Sequence, residues 1–285
     1  MSFTVKKQHK MTKKLKRILL SQTVRAIKQL ENLEHSPSDR IREARISFKR
    51  ARTILRLLRK VIDEEKSHYY DRIYRDLGRA LSTQRDLFIK TQVLKKLDST
   101  KKKPDSLKVS NEDQQIVHEV LNKLYALKIE LDNQIFGKKN FSVLRKTSIK
   151  FYNRIKQSQK HAEATKHDDE YHEWRKDVKH LYHLVSFMIP ICPNEYKPMK
   201  EELHKLIHLL GDDHDLTVLR REILRKKSGK LNNKQSILLK KIAEKQKVLR
   251  EKATKLGSKV VKEHASIFVN RMETNWKKYQ ATKTN

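Results

Sequence analysis

Residues 41–52 read IREARISFKRAR, and residues 171–182, starting 130 positions further along the chain, read YHEWRKDVKHLY. Each segment begins with an apolar residue, a basic residue and Glu, and places further basic residues three and seven positions after the first one. Apolar residues three and four apart lie on one face of a helix, so both segments predict amphipathic helices with a basic stripe beside a core-facing stripe. Because the pattern occurs twice, it also predicts an internal repeat.

The composition of the whole chain is typical of a helical protein. The chain has 285 residues but only five glycines and five prolines. Strands and tight turns need these residues often, so their scarcity favours long helices with few breaks. The length suits one large domain or two small ones. We therefore predict an all-α fold.

Helical periodicity runs through nearly the whole sequence. Start signals occur at Pro37–Asp39 and at Asp168–Asp169, and Gly211 is predicted to end a helix. A solvated loop is predicted at about 98–113, and shorter loops are predicted at about 159–166 and 226–233. The predicted helices cover roughly 9–34, 39–62, 66–82, 84–97, 112–135, 140–160, 169–189, 196–210, 214–227, 233–256 and 260–280.

The charge of the chain is strongly positive. Lys and Arg number 67 against 34 Asp and Glu, which gives a formal net charge of +33. Such a charge repels itself in the folded state, and an acidic partner relieves the repulsion. A lysine-rich surface kept for solubility is the alternative for the excess as a whole. That alternative does not explain the two repeated stripes, because a compositional bias does not fix spacing.

The number of cysteines and the length of the apolar segments indicate the cellular compartment of the protein. Cys192 is the only cysteine, so no disulfide can form within the chain, which fits a reducing compartment. The basic N-terminal region has Ile18–Leu20 as its apolar run, which is too short for a signal peptide. The most apolar stretch, at 181–192, is too short to span a bilayer. We therefore expect a soluble, cytoplasmic protein.

The repeat extends beyond the two basic helices. Residues 77–87 align with residues 206–216 at nearly the same offset as the basic helices. We therefore divide the chain into two helical repeats, at about 9–139 and about 140–281. Each repeat alone has a modest core, so we expect the two to pack as one domain over residues 1–285.

The basic stripe of each helix is predicted to lie next to its buried face. Apolar residues recur at spacings of three and four, and basic residues follow the same rhythm shifted by one position, which is about 100° around the helix. The apolar positions are Ile41, Ala44, Phe48, Ala51, Leu55, Leu58 and Ile62 in the first helix, and Tyr171, Trp174, Val178, Leu181, Val185 and Met188 in the second.

Two explanations fit such a row of cations. In the first, acidic residues of other helices neutralise the row, or its side chains extend to water. In the second, a polyanion with regularly spaced charges lies along the row. Residues three or four apart rise about 5–6 Å along a helix, which is comparable to the reach of one or two phosphate units. We favour the second explanation, because a linear phosphate chain can meet successive basic side chains.

At this point the sequence resembles a known family. The doubled motif of basic residues, the segment Leu210-Gly211-x-x-x-Asp215-Leu216 and the two-repeat layout are similar to the CHAD domain, the conserved histidine α-helical domain. The resemblance covers nearly the whole chain, including Leu256–Gly257 and residues 268–276. It implies two pseudo-symmetric antiparallel helical bundles with a basic central channel or groove that binds inorganic polyphosphate. It also implies a binding module and not a catalyst.

The resemblance implies polyphosphate-binding residues on both basic helices. His172, Arg175, Lys176 and Lys179 match the second motif fully, whereas Arg42 stands where the family usually has histidine. This departure keeps the positive charge and removes its pH dependence. The expected polyphosphate-binding residues are Arg42, Arg45, Lys49, Arg50, Arg52, Arg56, His172, Arg175, Lys176, Lys179 and His183.

Two acidic residues and one histidine have further expected roles. Asp86 and Asp215 match the family's acidic position, and we expect them to orient a basic side chain or cap a helix rather than touch an anion. His172 lies among cations, which disfavour its protonated form, whereas a bound polyanion favours that form. We therefore expect proton uptake on binding near neutral pH, mainly from the second repeat.

The sequence does not indicate a catalytic, cofactor or metal site. It contains no P-loop, nucleophile elbow or Gly-rich phosphate loop, so we expect no enzyme and no cofactor. His204, His208 and Asp212 have the spacing of ligands on one helix face. The two histidines align with Arg75 and Arg79 of the first repeat, which favours an anion-facing or surface role over a metal site.

The expected partner is inorganic polyphosphate, and the expected location includes polyphosphate granules. A nucleic-acid-binding protein is the alternative, since the charge fits it equally well. The sequence lacks an aromatic stacking platform, a zinc finger and a recognisable helix-turn-helix. It also lacks the E-x-E-x-K motif of the triphosphate-tunnel domain that many relatives carry, so we expect a stand-alone CHAD protein. The oligomeric state is left open.

Overall fold

The structure is a computed structural model that describes residues 11–34, 36–59, 61–82, 111–137, 141–225 and 232–281. Within these ranges the chain forms helices and short connections and no strand, which confirms the all-α prediction. The helices are α1 (Met11–Glu31), α2 (Pro37–Leu58), α3 (Glu64–Ala80), α4 (Asn111–Asn133), α5 (Ser142–Thr165), α6 (Asp168–Met188), α7 (Pro193–Arg225), α8 (Asn233–Val260) and α9 (Ala265–Ala281).

Some of the predicted features lie outside these ranges. These features are the predicted helix at 84–97, most of the predicted loops at 98–113 and 226–233, and Asp86. Of the helices that the structure does describe, none has both the length and the apolar character needed to cross a membrane.

The two basic helices, α2 and α6, each lie at the centre of a packed group. In the first group α2 contacts α1 and α3, and α4 packs against α1. In the second group α6 contacts α5 and α7, while α8 packs against α7 and α5, and α9 against α5. The groups meet where α2 contacts α5 and α6. The predicted division into two pseudo-symmetric repeats stays a prediction.

The predicted apolar faces of α2 and α6 form part of the core. Every apolar position predicted for the two faces is at most 5% exposed. Burial of one large apolar side chain contributes about 1.5–3 kcal/mol, so each face is held firmly inward. Both faces belong to one hydrophobic cluster, which extends from Met11 in α1 to Trp276 in α9. The basic stripes therefore flank a shared core.

Local signals explain where the two helices start. Pro37 is the first residue of α2, a position where its missing N–H removes no helical hydrogen bond. Asp168, Asp169 and Glu170 fill the first turn of α6, where carboxylates interact favourably with the positive end of the helix dipole. Both starts lie within two residues of the predicted ones.

Two of the predicted breaks are wrong. α7 is one uninterrupted helix, so Gly211 does not end it. α5 continues through most of the predicted loop at 159–166 and ends where Lys166 adopts a left-handed conformation with φ 57°. A glycine often ends a helix because it tolerates that conformation, but Gly211 is buried within α7, where tertiary packing overrides the local signal.

Candidate anion-binding pocket

A pocket of about 820 Å³ lies between α2, α3, α6 and α7. This volume falls within the range of about 300–1,000 Å³ that is typical of ligand sites. Among the residues that the structure describes, nine lysines and arginines and four histidines line the pocket, against two carboxylates. The charged and histidine residues of the lining are Arg45, Lys49, Arg52, Arg56, Arg75, Arg79, His172, Arg175, Lys176, Lys179, His180, His183, His214, Asp215 and Glu222.

Most of the predicted polyphosphate-binding residues come together in this pocket. Nine of the eleven line it, and the other two do not. Arg42 is exposed, with its Nη1 atom 3.8 Å from Oε1 of Glu43. Arg50 is partly buried, and burial, followed by the charge of Arg25, lowers its pKa. Asp215 lines the pocket from the interior of α7, so it caps no helix, and its orienting role stays a prediction.

One side of the pocket, called the α2 wall, consists of Arg45, Lys49, Arg52 and Arg56. Arg52 makes paired hydrogen bonds to Asp71 of α3, with Nε–Oδ1 at 3.0 Å and Nη2–Oδ2 at 2.9 Å. The Nε atom of Arg56 lies 4.0 Å from the same carboxylate. Nη1 of Arg45 donates to the backbone carbonyl of Gly78. Such contacts fix the direction of a guanidinium, so the α2 wall offers preoriented cations.

A second side, called the α6 wall, consists of His172, Arg175, Lys176, Lys179, His180 and His183. Arg175 lies against the backbone of α7, because a Cβ added at Gly211 would be 3.2 Å from its Nη2 atom and 3.4 Å from its Nε atom. Lys176 forms an exposed ion pair with Glu173, with Nζ and Oε1 2.5 Å apart. Exposed pairs contribute little, so this contact leaves Lys176 available to an anion.

Two histidines on neighbouring helices are in contact at the pocket. Burial, followed by the charges of Lys176 and Arg175, lowers the pKa of His172 to about 4. Burial, followed by His172 and Arg175, lowers the pKa of His214 to about 3. The centroids of the two rings are 4.1 Å apart. Near neutral pH both rings are therefore uncharged in the free protein.

The other two histidines of the lining behave in the same way. Burial, followed by Arg50 and Lys179, lowers the pKa of His183 to about 3. Burial, followed by the charge of Arg56, lowers the pKa of His180 well below its ordinary value. Nη1 of Arg56 contacts both ring nitrogens of His180, with Nε2 nearer than Nδ1, and a neutral imidazole nitrogen can accept this hydrogen bond. The contact joins the α2 wall to the α6 wall.

Sequence reasoning missed four basic residues of the lining: Arg75, Arg79, His180 and His214. A spacing of four residues relates Arg75 to Arg79 and Lys176 to His180, which places each pair on one helix face. That signal was available in the sequence. Which helix face lines the pocket is decided by packing between helices, so periodicity alone could not assign these residues to the site.

In each wall of the pocket, one arginine contacts a glycine of a neighbouring helix. Arg45 contacts Gly78, which lies 33 positions further along the chain. Arg175 contacts Gly211, which lies 36 positions further along. The difference of three residues is nearly one helical turn. In the sequence alignment Gly78 is paired with Ile207 and not with Gly211, and that alignment of the repeats stays a prediction.

A buried ion-pair network links the segments that carry His172 and His214. Nε of Arg250, in α8, donates to Oδ1 of Asp213 at 2.7 Å, and its Nη2 donates to Oδ1 of Asp168 at 2.6 Å. Both carboxylates are almost fully buried. Asp213 directly precedes His214, and Asp168 lies one turn before His172. Arg250, which the sequence did not single out, therefore ties together the segments that carry these histidines.

The three residues with metal-ligand spacing lie on α7. The Nε2 atoms of His204 and His208 are 3.1 Å apart at the exposed surface, and Asp212 follows one turn later. Across the part of the chain that the structure describes, no group of three or more His, Cys, Asp or Glu side chains is arranged to hold a metal ion.

A comparison with models of known protein families gives a match for this chain. The family model of the CHAD domain matches residues 17–224, a segment that contains both walls of the pocket. The match ends before Leu256–Gly257 and residues 268–276, so the resemblance inferred for those positions stays a prediction. No curated protein matched the chain. Because the family model covers well over half of the 285 residues, the chain belongs to the CHAD domain family.

Proposed function

We propose that this protein binds inorganic polyphosphate in the pocket between the α2 wall and the α6 wall, as part of a basic central channel, and catalyses no reaction on it. CHAD domains in general are non-catalytic modules that bind polyphosphate. The observation that carries the proposal is the lining, in which nine lysines and arginines and four histidines face two carboxylates.

The spacing of the cations suits a linear chain of phosphates. The residues of the α2 wall follow one another at intervals of three or four, so each step rises about 5–6 Å along the helix. Arginine can bond two non-bridging phosphate oxygens at once, and lysine supplies a mobile point charge. The α6 wall adds a second row of donors from another helix. A polyphosphate segment can therefore contact both walls along its length.

The empty pocket holds these cations at a cost in free energy. Burial lowers the pKa of Arg56, although Asp71 opposes the shift. Like charges on successive turns of a helix also repel each other. A bound polyanion offsets both effects, and it releases counterions when it binds. Affinity should therefore fall steeply as the salt concentration rises.

Nucleic acid is the alternative ligand. Phe48 and Tyr74 contribute to the lining, but they are only 2% and 0% exposed, so their faces are not free for stacking. Stacking of a base on an aromatic side chain contributes about 1–3 kcal/mol per base in proteins that bind single strands. The lining therefore favours a polyanion without bases.

A competition experiment separates the two ligands. Long-chain polyphosphate labelled with a fluorophore is bound to the protein at moderate salt, and unlabelled polyphosphate or single-stranded RNA is added at equal phosphate concentration. We expect polyphosphate to displace the probe at much lower concentration than RNA, because the pocket offers charge without stacking surfaces. Ready displacement by RNA would show that the polyphosphate assignment is wrong.

A pair of variants tests the pocket itself. The first variant replaces four wall residues with Ala: Arg45, Lys49, Arg175 and Lys179. We expect it to bind polyphosphate more than about 1,000-fold more weakly, because four charge-assisted contacts are lost. The control removes four exposed lysines of α8 and changes the net charge by a similar amount: Lys240, Lys241, Lys245 and Lys247. Equal losses in the two variants would mean that only net charge matters.

A further inference from the structure

Gly211 is a buried residue in the interior of α7, and it faces the guanidinium of Arg175. The three atoms nearest to a Cβ added at this position are Nη2, Nε and Cζ of Arg175, at 3.2, 3.4 and 3.6 Å. Ordinary contacts between non-bonded heavy atoms lie at about 3.5–4.0 Å. An alanine at position 211 would therefore require the guanidinium to give by a few tenths of an ångström, and a larger side chain would require it to move further.

Helix stability alone does not account for a glycine at this position. α7 is 33 residues long and continues on both sides of Gly211. The backbone at this glycine is not in the left-handed region that other residues avoid. Within a helix, glycine is less favourable than alanine, because it loses more conformational freedom on folding. The space that the glycine leaves for Arg175 is a physical reason for its presence.

The first half of the chain fixes its corresponding arginine differently. Arg45 donates a hydrogen bond to the carbonyl of Gly78 in α3. A Cβ added at Gly78 would lie 3.8 Å from its nearest neighbour, Cδ2 of Phe48, which is an ordinary contact. Arg45 therefore contacts Gly78 through the backbone carbonyl, whereas at Gly211 the guanidinium of Arg175 occupies the space where a side chain would begin.

We propose that Gly211 is a positioning residue of the pocket, which leaves the space that lets the Arg175 guanidinium lie in the α6 wall where an anion meets it. This inference rests on the proposed function and deepens it. Gly211 does not line the pocket, so it acts on the ligand only through Arg175. A larger residue at this position should weaken polyphosphate binding while leaving the fold intact.

A graded series of variants tests this role. We expect Gly211→Ala to weaken polyphosphate binding about 3- to 10-fold, and Gly211→Leu to match the loss of about 10- to 100-fold expected for Arg175→Ala. The melting temperature of Gly211→Ala should stay unchanged or rise by a few degrees, because alanine favours the helix. A residue with a purely structural role would lose stability and affinity together. If Gly211→Leu fails to fold, the alanine variant carries the test.

A double-mutant cycle supplies the decisive measurement. In the Arg175→Ala background, Gly211→Ala should cause no further loss of polyphosphate affinity, because its target is already gone. An equal loss in both backgrounds would overturn the positioning role, as would unaltered affinity of a folded Gly211→Leu variant. If the wild-type protein binds no polyphosphate, the proposed function itself fails and this inference fails with it.

Discussion

The α2 wall and the α6 wall supply similar amounts of basic character in different chemical forms. The α2 wall consists of three arginines and one lysine, whose charge is permanent at physiological pH. The α6 wall contains three histidines among its six residues, and His214 of α7 joins them. One side of the pocket is therefore cationic at all times, whereas much of the other side is neutral until it gains protons.

The surroundings of the two walls differ in a matching way. Two of the three arginines of the α2 wall, Arg52 and Arg56, have an acidic partner close by, in Asp71 of α3. The histidines of the α6 wall are buried among cations, and both effects lower their pKa values. The comparison teaches that a pocket for a polyanion need not carry its full charge when it is empty. Neutral histidines limit repulsion in the free protein and can gain charge when an anion arrives.

Removing two cations from one wall at a time should have the largest effect on polyphosphate affinity. We expect Arg45→Ala with Lys49→Ala, and Arg175→Ala with Lys179→Ala, each to weaken polyphosphate binding about 100- to 1,000-fold at about pH 8. Near pH 6 the loss of polyphosphate affinity should fall to about a tenth of its value at pH 8 for the Arg175 and Lys179 pair, and should stay the same for the other pair. Lys179 helps to lower the pKa of three pocket histidines, so its removal lets them protonate more readily.

The measurement is titration of labelled polyphosphate at both pH values and constant ionic strength. Of the first pair, only Lys49 acts on one of these histidines, His183, and it is the weakest of the four causes of that pKa shift. The first pair therefore serves as the matched control. If both pairs respond to pH in the same way, the contrast between a permanent and a titratable wall is wrong.

Packing behind the walls should give the next largest effect. The α6 wall is backed by Trp174, where α2 has Ala44 at the equivalent position of its motif. A Cβ added at Gly257 of α8 would lie only 2.5 Å from Cζ2 of Trp174. Gly257→Ala should therefore lower the free energy of unfolding by about 1–3 kcal/mol, measured by denaturant titration.

The control for this change is Gly78→Ala in α3, at a glycine that lines the pocket beside the α2 wall. Its added Cβ meets Phe48 at an ordinary distance of 3.8 Å. The free energy of unfolding should stay the same or rise, because alanine is a better helix former than glycine. A similar loss of unfolding free energy in both variants would contradict the proposed difference in packing between the two halves.

Proton uptake should give the smallest of the three effects. The free pocket holds His172 with a pKa of about 4, and His183 and His214 with pKa values of about 3, so all three are unprotonated near neutral pH. A polyanion raises these pKa values, and the complex then binds more protons than the free protein. Affinity should therefore rise as pH falls from about 8 to about 6, by up to about tenfold per pH unit for each proton taken up.

Calorimetry in two buffers of different ionisation enthalpy checks this uptake directly. Different apparent heats at about pH 6.5 show that protons enter with the ligand. The matched variant replaces the four histidines of the lining with Gln, which keeps polar side chains but cannot titrate: His172, His180, His183 and His214. Equal heats in both buffers for the wild-type protein would contradict the prediction.

Much of the helical framework could be read from the sequence, because helix periodicity is a local property. The apolar faces of α2 and α6 were predicted residue by residue, and all of these positions are buried. The break expected at Gly211 was wrong, since the local signal of a glycine gave way to the contact with Arg175 across two helices. The pocket role of His214 was missed for the same reason, because its partner His172 lies 42 positions away.

The order of apolar and basic residues along the chain was enough to establish an all-α protein with two rows of cations beside buried faces, because each row follows from the period of one helix. Packing between helices established that nine of the predicted residues share one pocket and that four histidines line it. It also established that Arg250 bonds to Asp213 and Asp168, which lie close in sequence to two of these histidines. These features join residues from different helices. Their distances and desolvation exist only after the chain has folded, so no local pattern encodes them.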